Sequence, residues 1–101
     1  MSKKYQSFAE FYPFYLSEHS NTVCRRLHFV GSFCVLALLT WVLITQTWIA
    51  LLLLPVIGYG FAWVGHFFFE KNRPATFTYP AYSFLGDWVM FKDMLTGRIK
   101  F

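Results

Sequence analysis

The sequence predicts an all-α integral membrane protein in which a transmembrane helical hairpin is flanked by N- and C-terminal interfacial amphipathic helices. Of its 101 residues, 56% are hydrophobic and 14% are charged, whereas soluble domains are about 45–50% apolar and about 25% charged. Residues 27–69 contain no Asp, Glu, Lys or Arg. A membrane helix needs about 20 apolar residues, so this uncharged run accommodates two of them.

Local patterns predict where each element begins and ends. Ser7 and Glu10 form a capping-box pattern at the start of an aromatic helix, and polar residues 20–21 separate that helix from the apolar run. Gln46-Thr47 is the polar turn between the two membrane helices. The single membrane domain, residues 1–101, is predicted to contain an interfacial helix at 8–19, a first membrane helix at 22–45, a second at 48–70, a loop at 71–80 and an interfacial helix at 81–96.

The basic residues all lie outside the apolar run, and they predict the orientation of the hairpin. Positive residues favour the cytoplasmic side, so we expect both termini in the cytoplasm, at a bacterial cytoplasmic membrane or the endoplasmic reticulum. Anionic membrane lipids account for the net charge of +4, and no nucleic-acid partner is expected. The nine basic residues are Lys3, Lys4, Arg25 and Arg26 before the run, and Lys71, Arg73, Lys92, Arg98 and Lys100 after it.

The three histidines are the strongest candidates for chemistry. His28 and His66 lie at nearly equal distances from the turn, so antiparallel helices bring them to the same depth at the cytoplasmic edge. His19 precedes the helix break and can fold over the same place. Three neutral imidazoles suit Fe(II), Zn or Cu. The alternative is that each histidine is structural and hydrogen-bonds a carbonyl at the interface.

Polar residues after His66 extend this candidate site. Glu70 lies one helical turn beyond His66 and could ligate a metal or accept a hydrogen bond from a ligand's second nitrogen. Its alternative role is a surface ion pair with Lys71 or Arg73. Arg73, beside Asn72, could bind an anionic head group, and the alternative there is a lipid phosphate.

Two groups of residues have the pattern of a known family. They are Phe14, Tyr15, His19, Asn21 and His28, and the block Gly65-His66-Phe67-Phe68-Phe69-Glu70-Lys71-Asn72-Arg73-Pro74-Ala75. Together they resemble the Mpo-type membrane family over nearly the whole chain. The resemblance implies an Fe(II)-dependent dioxygenase of alpha-oxidation, which shortens 2-hydroxy fatty acids by one carbon. It also implies that His19, His28 and His66 are the iron ligands.

The residues and the resemblance together predict a non-haem iron dioxygenase acting on a lipid-derived 2-hydroxy fatty acid. The predicted catalytic residues are His19, His28, His66 and Glu70, and the predicted substrate-binding residues are Arg73 and Asn72. Because so few helices enclose little volume, we also expect a homo-oligomer. Two alternatives remain: a non-catalytic membrane scaffold or partner-binding protein, and a haem-binding electron-transfer protein with two axial histidines.

Overall fold

The computed structural model describes residues 4–101, which form four α-helices and no strand. Helix α1 spans Phe8–Ser17, α2 spans Thr22–Thr45, α3 spans Leu53–Val64 and α4 spans Pro80–Leu95. Three short helices complete the chain: a 3-10 helix at Trp48–Leu52 before α3, a π-helix at Gly65–Glu70 directly after it, and a 3-10 helix at Ala75–Phe77 before α4. The predicted all-α class is confirmed. Lys3, one of the flanking basic residues, lies outside the described residues.

Side-chain caps begin both helices that precede the turn. The hydroxyl of Ser7 accepts a hydrogen bond from the Glu10 amide at 3.2 Å, and the Asn21 side chain accepts one from the Cys24 amide at 3.1 Å. Helix α1 ends at Ser17, two residues before the predicted end, because Glu18 takes the C-cap position. His19 therefore lies in the link between α1 and α2, where it is free to turn back toward the hairpin.

Helix α2 and the segment Trp48–Glu70 form the antiparallel hairpin. The turn is made at Gln46, whose φ of 57° lies in the left-handed region. Both helical segments are long and apolar enough to cross a membrane, and only 17% and 6% of their most apolar windows are buried. Core helices of a soluble protein would be mostly buried. The apolar side chains of this hairpin instead face outward.

Helices α1 and α4 form one layer across the open end of the hairpin, which we call the hairpin mouth. Their shared core contains Phe11, Tyr15 and Met90. Two tyrosines of α1 reach aspartates of α4: the Tyr12 hydroxyl donates to Asp93 at 2.8 Å, and the Tyr15 hydroxyl donates to Asp87. The two helices that the sequence predicts separately at the interface therefore pack on each other.

A close approach at Gly65 brings the two arms of the hairpin together beside the mouth. A Cβ atom at this position would lie 3.0 Å from the Cys24 sulfur and 3.2 Å from the Cys24 Cα. Because Cα belongs to the backbone of α2, it cannot move without shifting that helix. Glycine at this position allows the π-helix to approach the first turn of α2.

We expect Gly65→Ala to destabilise the fold by about 1–3 kcal/mol, the usual cost of overpacking. Thermal unfolding of the purified protein in detergent measures the effect. Gly60→Ala is the matched control, because a Cβ atom at Gly60 meets nothing within 4 Å and alanine favours helix by up to about 1 kcal/mol. Equal unfolding temperatures for the two variants would contradict the close approach.

Candidate metal centre

The three imidazoles meet at the hairpin mouth and form what we call the histidine cluster, His19, His28 and His66. Their exposed fractions are 1%, 6% and 2%. One potential ligand atom from each ring lies within 4.8 Å of the other two, and the Nε2 atoms of His19 and His28 are 3.1 Å apart. Sequence reasoning places the three rings together, and the structure does the same.

The three histidines lie in three different segments of the structure. His19 lies in the link after α1, His28 lies inside α2, and His66 lies in the π-helix that continues α3. Single π-turns occur often at functional sites. The link is held against α2 by Arg25, whose guanidinium donates to the carbonyl oxygens of His19 and Ser20 at 3.2 and 3.1 Å. These contacts fix the His19 backbone.

The hydrogen-bond partners assign the same tautomer to all three rings. Nδ1 of His19 lies 2.6 Å from the Tyr15 carbonyl oxygen, and Nδ1 of His28 lies 2.8 Å from the Cys24 carbonyl oxygen. Carbonyl oxygens only accept, so both Nδ1 atoms carry the proton. Nδ1 of His66 lies 2.7 Å from Oδ1 of Asn72. In each neutral ring the Nε2 atom is then left with a lone pair.

These lone pairs make the cluster suitable for a metal cation. No proton is available between the Nε2 atoms of His19 and His28, although they are 3.1 Å apart. Two nitrogens bound at right angles, each at about 2.1 Å from one cation, would be about 3.0 Å apart. Burial, and next the neighbouring His28 and His66, lower the pKa of His19 well below its ordinary value. The ring therefore stays in its neutral, ligating form.

Asn72 lies beside the histidine cluster, and its contact with substrate stays a prediction. Its Oδ1 accepts from Nδ1 of His66, and its Nδ2 donates to the Glu18 carbonyl oxygen at 3.0 Å. Both ends of the amide are therefore engaged within the protein. Such outer contacts orient a ligating histidine and raise its basicity. The structure makes Asn72 a positioning residue for His66.

The carboxylate of Glu70 lies outside the histidine cluster, and its catalytic role stays a prediction. One oxygen accepts from the Asn21 amide at 2.6 Å and the other from the Ser20 hydroxyl at 3.0 Å. The only ion pair in the described part of the chain is Lys92 with Asp93, so the predicted alternative pairs with Lys71 or Arg73 are not formed. Glu70 ties the end of the π-helix to the start of α2.

Arg73 lies at the surface, with its guanidinium 4.9 Å from the centroid of the Phe77 ring. It donates no hydrogen bond into the histidine cluster. A contact between Arg73 and an anionic head group stays a prediction.

A small cavity of about 20 Å³ adjoins the histidine cluster, and a space of this size holds about one water molecule. Its lining includes three residues that sequence reasoning did not assign to the site: Tyr15, Ser83 and Asp87. The Ser83 hydroxyl is buried without a hydrogen-bond partner among the described residues. The i, i+4 spacing of Ser83 and Asp87 in an otherwise apolar stretch places both side chains on one helix face, and this pattern in the sequence could have indicated that they belong to the site.

Tyr15 connects the histidine cluster to Asp87. Its ring stacks on His19 with centroids 4.0 Å apart, and its hydroxyl donates to the Asp87 carboxylate. Burial raises the pKa of Tyr15 well above its ordinary value, so the phenol keeps its proton. Burial also raises the pKa of Asp87 to about 6, although the hydrogen bond from Tyr15 opposes the rise.

A second, larger cavity of about 480 Å³ runs along the hairpin. We call it the hairpin groove. Four residues line both cavities, namely His28, Tyr59, Ala62 and Asp87. The hairpin groove therefore begins at the histidine cluster.

The family model described as 2-hydroxy-palmitic acid dioxygenase Mpo1-like matches residues 5–99. The chain belongs to this family. The match covers the whole histidine cluster and confirms the resemblance that the sequence motifs indicate. The Mpo1-like name points to a dioxygenase and to a 2-hydroxy fatty acid. Searches of curated proteins and of solved structures gave no match.

The haem alternative does not fit the geometry of this Mpo1-like chain. A haem with two axial histidines requires the macrocycle to lie between two rings. The ring centroids of His28 and His66 are only 4.9 Å apart, and His19 lies 4.5 and 4.4 Å from them. The adjoining cavity of about 20 Å³ is far too small for a porphyrin.

We expect Asn72→Ala to lower metal affinity about 10–100-fold, the usual effect of losing an outer partner of a ligating histidine. Anaerobic Fe(II) titration of the purified Mpo1-like protein measures it. Glu70→Gln is the matched control, because glutamine keeps an acceptor oxygen for the Asn21 amide and should leave the affinity nearly unchanged. If Glu70→Gln lowers the affinity as much as Asn72→Ala does, the carboxylate belongs to the metal site.

We expect Asp87→Asn to stabilise the metal-free protein at pH 7 by up to about 3 kcal/mol. The raised pKa of about 6 means that the folded state keeps its proton longer than the unfolded state. The stability advantage of Asp87→Asn over the natural sequence should therefore grow as pH rises from about 4 to about 6, and stay constant above that. Thermal unfolding at pH 4, 5.5 and 7 measures the difference, which should vanish near pH 4. Parallel pH profiles would contradict the buried carboxylate.

Proposed function

We propose that this protein is a membrane-embedded, Fe(II)-dependent dioxygenase of alpha-oxidation, which shortens 2-hydroxy fatty acids by one carbon. The observation that carries the proposal is the convergence of three buried imidazoles, each with a potential ligand atom within 4.8 Å of the other two. Membership of a family named for a 2-hydroxy-palmitic acid dioxygenase supports the choice of reaction.

Insertion of the hairpin in a bilayer follows from its outward apolar surface. Ile44, Ile49 and Phe68 have exposed fractions of 77%, 74% and 70%, and water would disfavour such a surface. The positive-inside rule then places both termini and the histidine cluster at the cytoplasmic side, in a bacterial cytoplasmic membrane or the endoplasmic reticulum. A homo-oligomer would cover more of this exposed apolar surface, and we therefore propose one.

His19, His28 and His66 would hold the metal through Nε2. Bound Fe(II) would supply electrons and open coordination positions for dioxygen and substrate. The chain itself keeps the rings neutral, fixes their orientation through three Nδ1 hydrogen bonds, and limits water to the small cavity. Three neutral ligands leave the positive charge of the metal available to an anionic substrate.

The substrate's polar end fits beside Ser83 and Asp87. The free Ser83 hydroxyl can donate to a carboxylate or to a 2-hydroxyl oxygen. Asp87, when ionised, can accept the hydrogen of the 2-hydroxyl group. The overall reaction balances without a further reductant: a 2-hydroxy acid and one O₂ give the acid shortened by one carbon, CO₂ and water.

The test uses purified protein loaded anaerobically with Fe(II) and then given 2-hydroxypalmitate and O₂. We expect one iron per chain, consumption of one O₂ per acid, and formation of pentadecanoate. His66→Ala should lose iron and turnover, whereas Phe68→Ala, an outward-facing change in the same π-helix, should keep both. Equal activity in His66→Ala would refute the ligand assignment. Absence of stoichiometric metal in the natural sequence would favour the membrane scaffold.

A further inference from the structure

The hairpin groove is polar at one end and apolar along the rest of its length. Near the mouth it is lined by His28 and Asp87, which also line the small cavity. Farther from the mouth the lining is apolar and includes Val35, Leu39 and Leu54. A ligand matching this arrangement has one polar end and one extended apolar tail.

A free fatty acid fits this groove better than a membrane phospholipid. The polar end of the groove lies beside a space of about 20 Å³, which has room for about one carboxylate oxygen but not for a phosphodiester with its glycerol. The imidazoles there are neutral, so a bound cation would attract an anion. The lining residues that the two cavities share, His28 and Asp87 among them, thus favour a tail that carries its acid group at one terminus.

The length of the groove limits the tail. His28 and Leu39 both line it, and the eleven-residue separation in α2 corresponds to about 16 Å of helix rise. The groove can therefore hold an extended acyl tail of about 16 Å, from His28 to Leu39. Leu39 on α2 and Leu54 on the opposite arm line the end away from the mouth.

A substitution at Gly58 would narrow the groove at a residue that does not line the small cavity beside the histidine cluster. A Cβ atom at this position would lie 3.5 Å from Cγ2 of Val35, an ordinary contact, and both residues line the groove. A larger side chain would therefore occupy space between the arms. Gly60, two residues away on the same helix, has open space around it.

We propose that the hairpin groove binds the acyl tail of the acid and selects it by length, with Leu39 and Leu54 marking the far end. The inference rests on the proposed function for the identity of the polar end. It adds that chain-length preference resides in the middle of the membrane helices. A tail with the acid group at the mouth ends near these two leucines.

Photo-crosslinking tests where the tail ends. The probe is a twelve-carbon 2-hydroxy acid with a diazirine at its terminal carbon, added under anaerobic conditions to the full chain in nanodiscs. We expect labelling at Leu39, Leu54 and their groove neighbours, and competition by unlabelled 2-hydroxypalmitate. Labels spread over outward residues such as Ile44 and Val56, without competition, would mean ordinary lipid contact and would overturn the proposal.

The matched pair Gly58→Leu and Gly60→Leu tests the length limit by binding. Displacement of a fluorescent fatty acid by 2-hydroxyhexanoate and by 2-hydroxypalmitate is measured for each variant. Gly58→Leu should weaken binding of the long acid about tenfold or more, since several methylenes lose their apolar contacts, and should spare the short one. Gly60→Leu should spare both. Equal effects of the two variants, or equal loss of both acids, would contradict a length limit.

Both measurements are made without O₂, so they separate this inference from the proposed function. A groove that labels and discriminates by length in a protein without turnover would leave the inference standing and refute the dioxygenase. Turnover together with uniform labelling would support the dioxygenase and refute the length-selecting groove. If Gly58→Leu fails to fold, Leu39→Ala tests the opposite change, and should improve binding of longer acids relative to 2-hydroxyhexanoate. Unchanged length preference in Leu39→Ala would contradict the limit.

Discussion

Hydrogen bonds from three imidazole Nδ1 atoms determine whether the hairpin mouth can bind a metal cation, because they leave the Nε2 lone pairs free. Two of the acceptors are backbone carbonyls one helical turn earlier, at Tyr15 and Cys24. A carbonyl oxygen can only accept a hydrogen bond, so the proton must be on Nδ1. The Nε2 lone pairs of His19 and His28 therefore face each other at 3.1 Å, with a ligand atom of the buried His66 within 4.8 Å of both rings' ligand atoms. Unpaired polar groups are costly to bury, and a shared cation relieves that cost. Metal binding to such a site is coupled to the stability of the fold.

The rest of the architecture can be understood as the means of keeping these rings in place. Gly65 allows the π-helix to approach α2 beside Cys24, and Glu70 ties the end of that helix to the link that carries His19. The layer of α1 and α4 then covers the mouth and excludes water. Asp87 lines both cavities and is partly buried, and the raised pKa of about 6 makes its ionised form costly to stability. Such costly polar groups are typical of functional sites.

The uncharged run and its polar break were sufficient to predict the hairpin. The meeting of His28 and His66 could be predicted as well, because it depends only on the distance of each residue from the turn. The same features could not predict the partner of His66. Lys71 takes a left-handed φ of 59°, which reverses the chain so that the Asn72 amide donates to the His66 carbonyl oxygen at 3.0 Å. No helical spacing describes that reversal. The pairing of Tyr12 with Asp93, 81 residues apart, is likewise outside any local rule.

The position of the hairpin groove has a consequence for how an apolar acid would reach the site. Its lining belongs to the two arms of the hairpin and to α4, whereas the mouth is covered by the α1–α4 layer. An acid dissolved in a membrane could therefore enter the groove from the side, with its acid group toward the mouth, and keep its apolar part in an apolar medium throughout. Entry from water would expose the tail and require the layer to open. The three histidines there are buried, and burial strengthens every electrostatic interaction at the site.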